Sequence, residues 1–309
     1  YAAVSPWAKI RWLEPELLSC QILKLAKMLW WELVRLSPVT CRMVGSSPVI
    51  LQESQVIRMI ERDSLVLMGL DEQLRKDASK LFNRLCEYKY SYHFDWQGRP
   101  IIQFPQDIVA MQELIWSTRP DLIIETGIAH GGSLIFSASM LALLDMCDAI
   151  EAGAMMDPRV SDRKVLGIDI DIRAHNRTAI EAHPMASRIQ MIQGSSTEPE
   201  IIEQVHAVAS NYSRVLVCLD SNHTHDHVLA ELEAYAPLTS IGSYCVVFDT
   251  VVEDMPKEMF PDRPWGPGNN PKTAVREYLK KHPEFEIDKD IQHKLQITVA
   301  PDGYLKRAS

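Results

Sequence analysis

The sequence predicts an α/β protein: a Rossmann-like, doubly wound, mostly parallel seven-stranded sheet with a C-terminal antiparallel hairpin and a helical N-terminal extension. Three observations predict it. From residue 107 onward, short apolar runs alternate with stretches of helical period, the pattern of strands covered on both faces. The first of these runs, 122–124, ends in Glu125 and passes through Gly127, Gly131 and Gly132 into a helical stretch from Ser133. Strand, tight loop and helix form the unit that opens a nucleotide-binding sheet. After the fifth strand the alternation stops, and a helix and two short strand-like runs close the chain.

Residues 1–65 read as helical, interrupted at Ser37-Pro38 and Ser46-Ser47-Pro48. Within them Leu18, Ile22, Leu25, Leu29 and Leu33 recur at helical spacing beside Trp30 and Trp31. Lys24, Lys27, Glu32 and Arg35 keep segment 17–36 short of the roughly 18 apolar residues of a membrane span. It reads as an amphipathic helix packed on the domain or a subunit partner, with peripheral membrane contact as the alternative. Residues 71–88 form another helix, with Leu74, Leu81, Phe82 and Leu85 on one face. Segment 88–100 is aromatic and turn-rich, and reads equally as a loop over the core edge or a substrate lid.

The alternation then runs helix 108–117, strand 122–125, helix 133–144, strand 164–169, helix 175–182, strand 189–193 and helix 198–209. It continues with strand 214–220, helix 225–235 and strand 243–249. Residues 272–281 are helical, and 285–287 is expected to pair with 296–299 as the hairpin. The boundaries are an extension over 1–65, a helix and aromatic cap over 66–106, and the nucleotide-binding domain over 107–309.

A chain of 309 residues can bury one large core plus an appendage. Its net charge of -9 argues against a general nucleic-acid binder. The six cysteines show no CxxC spacing, and Cys218 and Cys245 sit in apolar strand-like runs, which favours a reducing, cytoplasmic setting.

Open α/β sheets bind ligands beyond the carboxyl ends of their strands, so the residues there should form one site. Glu125 would repel a pyrophosphate but suits the cationic methionine end of S-adenosylmethionine (SAM). Asp169 can accept both ribose hydroxyls; the competing use of Asp169 or Asp171 is a helix cap, which suits Asp171 better. Ser195 and Ser196 can meet an adenine edge, although Ser196 or Thr197 can also cap the next helix. Asp220 and Asp249 stand at neighbouring strand tips, where two carboxylates can hold a hard divalent cation that acidifies a substrate hydroxyl. His223, His225 and His227 share no single face if a helix starts at 225, so a polar helix start is favoured over a histidine metal centre. His223, on the strand-four loop, is placed to act as a general base near neutral pH.

Several motifs resemble the cephalosporin-hydroxylase-like family, which includes cephamycin-pathway and rhamnosyl O-methyltransferases. They are Asp95 to Asp107, Glu125 to Ser133, Gly167 to Arg173, Leu219 to Thr224, and Val228 to Leu238 leading into Val247 to Thr250. The likeness covers about residues 88–309 and leaves the first 65 outside. It implies a SAM-dependent O-methyltransferase, often oligomeric, and hence a homo-oligomer here. It implies SAM contacts at Glu125, Gly127, His130, Gly131, Ser133, Asp169, Ser195 and Asp220. It also implies magnesium on the strand-four and strand-five loops. One register puts the metal carboxylates at Asn222, Phe248 and Asp249; a catechol-type register puts them at Asp220, Asp249 and Thr250, with His223 as base. The expected metal set is Asp220, Asp249 and Asn222, and the expected catalytic set is His223, Asp220 and Asp249.

The reaction implied is methylation of a small-molecule hydroxyl, that of a sugar or glycosylated natural product. The alternative is a SAM-binding scaffold without catalysis, suggested by Asn222 and Phe248. An NAD(P)-dependent oxidoreductase would want a G-x-G-x-x-G loop, which Gly127, Gly131 and Gly132 do not match. An iron-dependent hydroxylase would want many short jelly-roll strands, against the βα alternation.

Overall fold

The computed structural model describes residues 40–44, 47–51 and 53–309, with side chains from 62 onward. Segment 17–36 lies outside the described residues. The chain divides into two units, Tyr1–Ser64 and Leu65–Ser309. In the first, β1 (Thr40–Val44) and β2 (Ser47–Leu51) pair antiparallel, with Thr40 opposite Leu51. This corrects the helical expectation for that stretch: β-branched Thr40, Val44, Val49 and Ile50 favour the pleated strand. Helix α1 (Glu53–Leu70) follows.

In the second unit, α2 (Glu72–Glu87) starts at Asp71, whose side chain accepts from the Leu74 amide at 2.9 Å. A 3₁₀ turn over Tyr90–His93 leads into a small ribbon, β3 (Asp95–Trp96) and β4 (Arg99–Pro100). Helix α3 (Pro105–Thr118) opens on proline, which needs no amide partner in a first turn.

Five parallel strands form the centre of the sheet: β5 (Leu122–Thr126), β6 (Lys164–Asp169), β7 (Ile189–Gln193), β8 (Val215–Leu219) and β9 (Tyr244–Val247). With β10 (Phe285–Ile287) and β11 (Tyr304–Arg307) the order is β10-β11-β9-β8-β5-β6-β7, and β11 is antiparallel to both neighbours. The seven-stranded sheet is thus as expected. The partner of β10 is 304–307, however, and not 296–299. Helix α9 (Lys289–Leu295) intervenes, and the Thr298 hydroxyl and Val299 amide donate to the buried carboxylate of Asp107 instead of joining the ladder.

Alternation along the strands builds two cores. Ile123, Val165, Leu216, Cys218 and Val246 face α3 and α4 (Gly132–Ala152). Ile124, Leu166, Val217, Leu219 and Val247 face α6 (Pro199–Ala209), α7 (His225–Tyr235) and α8 (Pro271–Tyr278). Helix α4 runs past the expected end to Gly153, which takes φ +62 as its left-handed cap. It is long and apolar enough to cross a bilayer, yet Leu134, Ile135, Ala138 and Leu141 are buried, as in a core helix. Strand β5 is flanked by β6 on one side and β8 on the other, so the crevice at their carboxyl ends is the switch point where ligands bind.

Candidate active site

The loop after β5 is shaped from three sides. Gly127 has φ +91 and donates its amide to the Ile168 carbonyl at 2.8 Å. A Cβ there would stand 2.1 Å from the Asp220 carbonyl oxygen, so only glycine lets β5 and β8 approach this closely. Asp169 accepts from the Ile128 and Ala129 amides at 2.8 and 3.3 Å through Oδ2, and from the Asp171 amide at 2.9 Å through Oδ1. Asp171 itself is exposed and caps nothing; Arg173 occupies the N-cap position of α5 (Ala174–Glu181).

Two further residues hold this loop. Arg99 donates to the His130 carbonyl through Nε at 3.0 Å and Nη2 at 2.5 Å, and to Asn176 Oδ1 at 2.9 Å. Buried Asn176 in turn donates to the Ala129 carbonyl at 2.9 Å. Contacts between side chain and carbonyl across such separations leave no periodicity in a sequence, so reading it missed both roles. Gly131, at φ +81, is where the loop turns into α4 against Ile180.

A cavity of about 340 Å³ lies over the strand tips. Gly127, His130, Ser133 and Asp169 line it, together with Asp220, His223 and Asp249. Ser195 and Asn222 line an adjoining compartment of about 110 Å³, which shares Gly127, Asp169 and Ser221 with the first. Glu125 is buried beneath, where the Ser133 hydroxyl donates to its carboxylate.

Segment 88–100 covers the core edge and also reaches the cavity. Tyr90, Phe94 and Trp96 pack on the core, while Ser91 and Tyr92 line the cavity. Trp96 Nε1 donates to Ser139 at 3.0 Å and its ring stands edge-on to Phe136. With Arg99, these contacts tie the segment to α4 and the glycine loop.

The ligand atoms of Asp220, His223 and Asp249 lie within 4.8 Å of one another. His223 Nε2 is 3.3 Å from Asp249 Oδ2, and the imidazole stands edge-on to Trp265 with ring centroids 4.8 Å apart. Asp249 sits at φ +54, a conformation unusual for a side chain other than glycine and frequent at functional sites. Asn222, expected in the metal set, accepts through Oδ1 from the Thr224 amide and hydroxyl, both at 2.9 Å, where the chain turns into α7. His225 turns toward Thr273 and Glu277, and His227 toward Ser196, Ser221 and Glu231, so the three histidines diverge.

The site is strongly acidic. Burial pushes the Asp220 carboxyl well above the usual carboxylate range, and the like charges of Asp249 and Glu125 add to that. Burial pushes Glu125 up to about 7 against the opposing Ser133 hydrogen bond. Asp107 is pushed up to about 6 by burial, opposed by bonds from Thr298, Tyr304 and Val299. In the folded state Glu125 therefore keeps its proton to higher pH than when unfolded, and stability falls as pH rises through that interval toward about 7. The cofactor-free Glu125→Gln variant is expected to exceed the wild type in unfolding free energy at pH 8 by about 1–3 kcal/mol. The advantage should vanish near pH 5, and a difference independent of pH between 5 and 8 would contradict the assignment.

A reversed last strand after five parallel ones is the methyltransferase form of the doubly wound sheet, and an acidic crevice at its switch point suits a sulfonium. The protein is a SAM-dependent O-methyltransferase. It belongs to the rhamnosyl O-methyltransferase/CmcI family, whose family model matches residues 88–308. The chain is similar to the rhamnosyl O-methyltransferase of Mycobacterium tuberculosis strain H37Rv, 28% identical over 265 residues, covering 80% of this chain and 97% of that protein. The rhamnosyl O-methyltransferase of Mycobacterium leprae is 28% identical over 214 residues, covering 69% and 82% of the two chains. Among solved structures, the Mg–SAM form of CmcI matches with a TM-score of 0.45 at 18% identity, over 71% of this chain and 78% of that one.

Proposed function

We propose that this methyltransferase acts on a hydroxyl of a sugar or glycosylated small molecule, at the cluster formed by Asp220, His223 and Asp249. The observation that carries this reading is the approach of His223 Nε2 to Asp249 in the wall of the cavity that the glycine loop also lines. SAM lies along that loop, its cationic amino-acid end toward Glu125 and Ser133. Its ribose lies at Asp169, whose Oδ1 keeps one lone pair beyond the three that its amide partners occupy, and its adenine lies toward Ser195. The acceptor enters under Ser91 and Tyr92, where a tyrosine 60% exposed offers a face for the apolar side of a sugar ring. The rhamnosyl O-methyltransferases among its relatives support a sugar acceptor.

His223 takes the proton of the acceptor hydroxyl, while Asp249 orients the imidazole and stabilises the cation that forms. The acceptor oxygen attacks the methyl carbon, and the carbon–sulfur bond breaks with its electron pair left on sulfur. S-adenosylhomocysteine (SAH) and the methyl ether remain. Alignment of oxygen, carbon and sulfur supplies most of what such a transfer needs.

The donor set fits a divalent cation of the magnesium type: two carboxylates converge, and the like charges that add to burial in pushing up Asp220 are those a cation would neutralise. Asp220 and Asp249 would hold it, and when bound it would make the acceptor hydroxyl more acidic. In this reading, residues 107–309 form the catalytic domain, 66–106 supply the acceptor wall, and 1–65 are an extension. A reducing cytoplasmic setting is supported by the free thiols of Cys86, Cys147, Cys218 and Cys245.

The test is incubation with methyl-labelled SAM and a panel of rhamnosides, other glycosides and simple phenols, after chelation and with magnesium restored. Label in an O-methyl sugar is the expected result. Exclusive labelling of phenols would overturn the sugar reading, and SAH binding without turnover on any member would favour a scaffold.

A further inference from the structure

Behind the smaller compartment lies a buried polar network that the transfer chemistry leaves unused. Glu231, on α7, is fully buried. Its Oε1 accepts from the Ser196 hydroxyl at 2.5 Å and the Ser221 hydroxyl at 2.6 Å. Both serine oxygens also meet His227 Nε2, at 3.1 and 3.2 Å. The Tyr235 hydroxyl closes the network from below by donating to the Ser196 carbonyl. Ser196, Ser221 and His227 all line the compartment, and Glu231 does not.

The donor inventory assigns the histidine's tautomer. A serine hydroxyl has one hydrogen, and an ionised carboxylate accepts only. With both serine hydrogens committed to Glu231, the serine oxygens face Nε2 with lone pairs alone, so Nε2 carries the hydrogen and donates to them. In this tautomer Nδ1 is left as an acceptor. Ser195, the other polar side chain first assigned to this compartment, is engaged with Thr197 at 3.1 Å.

We infer that His227 is a specificity-determining residue for the adenine of the cofactor, with Nδ1 accepting from the exocyclic amine and Glu231 fixing the tautomer through Ser196 and Ser221. The inference rests on the proposed course of SAM, which puts its ribose at Asp169 and its base in this compartment. The chemistry is selective. A 6-amino purine presents a donor to Nδ1, whereas a 6-oxo purine presents a second lone pair, leaving two acceptors opposed.

The test is calorimetric titration of SAH and its deaminated analogue, S-inosylhomocysteine, into wild type, His227→Ala and His227→Gln. The wild type is expected to prefer SAH by about tenfold or more, the range of one lost hydrogen bond. His227→Ala should lose most of that preference through weaker SAH binding. His227→Gln, whose amide can donate to the serines and accept from the amine, should restore part of it. Circular dichroism and thermal unfolding show whether each variant is folded, and His227→Phe, a ring without an acceptor, stands in if the alanine variant is not. Undiminished preference in the folded alanine or phenylalanine variant, with wild-type SAH affinity, overturns the role of His227 and leaves the cofactor reading standing. Failure of the wild type to bind SAH at all overturns the cofactor's course and the inference together.

Discussion

His223→Ala is expected to lower methyl-transfer turnover by about 10²–10⁴-fold, the range of a positioned general base, while SAH affinity changes by less than roughly threefold. The asymmetry follows from position. His223 lines the cavity with its Nε2 turned to Asp249, whereas the proposed course of the cofactor follows the glycine loop, Asp169 and Ser195. Asp249→Ala should fall in the same direction, because it leaves the imidazole without the carboxylate that orients it. Steady-state kinetics alongside SAH calorimetry separates the two quantities. Equal loss of both would place His223 in cofactor binding and remove it from the proton step.

Gly127→Ala is expected to do the reverse, abolishing SAH binding and destabilising the fold. The added methyl would lie 2.1 Å from a backbone oxygen of the neighbouring strand loop, which cannot step aside as a flexible side chain can. A φ of +91 adds a conformational penalty of about 1–3 kcal/mol for any residue with a Cβ. Thermal unfolding should drop by several degrees, about 2–4 °C per kcal/mol in a domain of this size. SAH affinity should fall by about 100-fold or more, because relieving the clash moves the amides that Asp169 now holds. A variant with unchanged unfolding temperature and SAH affinity would contradict the close approach of β5 and β8.

Much of the fold is legible in the sequence because its signals are local. Four of the five parallel strands are largely apolar runs buried along most of their length, the edge strand β7 being half-exposed, and the observed bounds of all five differ from those expected by a few residues at most. The partner of β10 is not legible because 296–299, Gln-Ile-Thr-Val, carries the stronger strand pattern, whereas 304–307 ends in Lys306 and Arg307. What separates them is Asp107, nearly two hundred residues away, which engages Thr298 and Val299. The candidate site shows the same division. Glu125, Gly127, Asp169, Asp220 and Asp249 are placed by the rule that ligands bind beyond strand tips. Arg99, Asn176 and Glu231 act through contacts between elements that no spacing encodes. Asn222 was assigned by register with the family, whereas the turn into α7 engages its side-chain oxygen.

The most direct test of the account is a crystal structure of the protein with SAH and magnesium. The account places the adenine in the compartment of Ser195 and His227, the ribose at Asp169, and the sulfur facing Asp220, His223 and Asp249. SAH bound elsewhere, or with its sulfur turned away from those three residues, would contradict it.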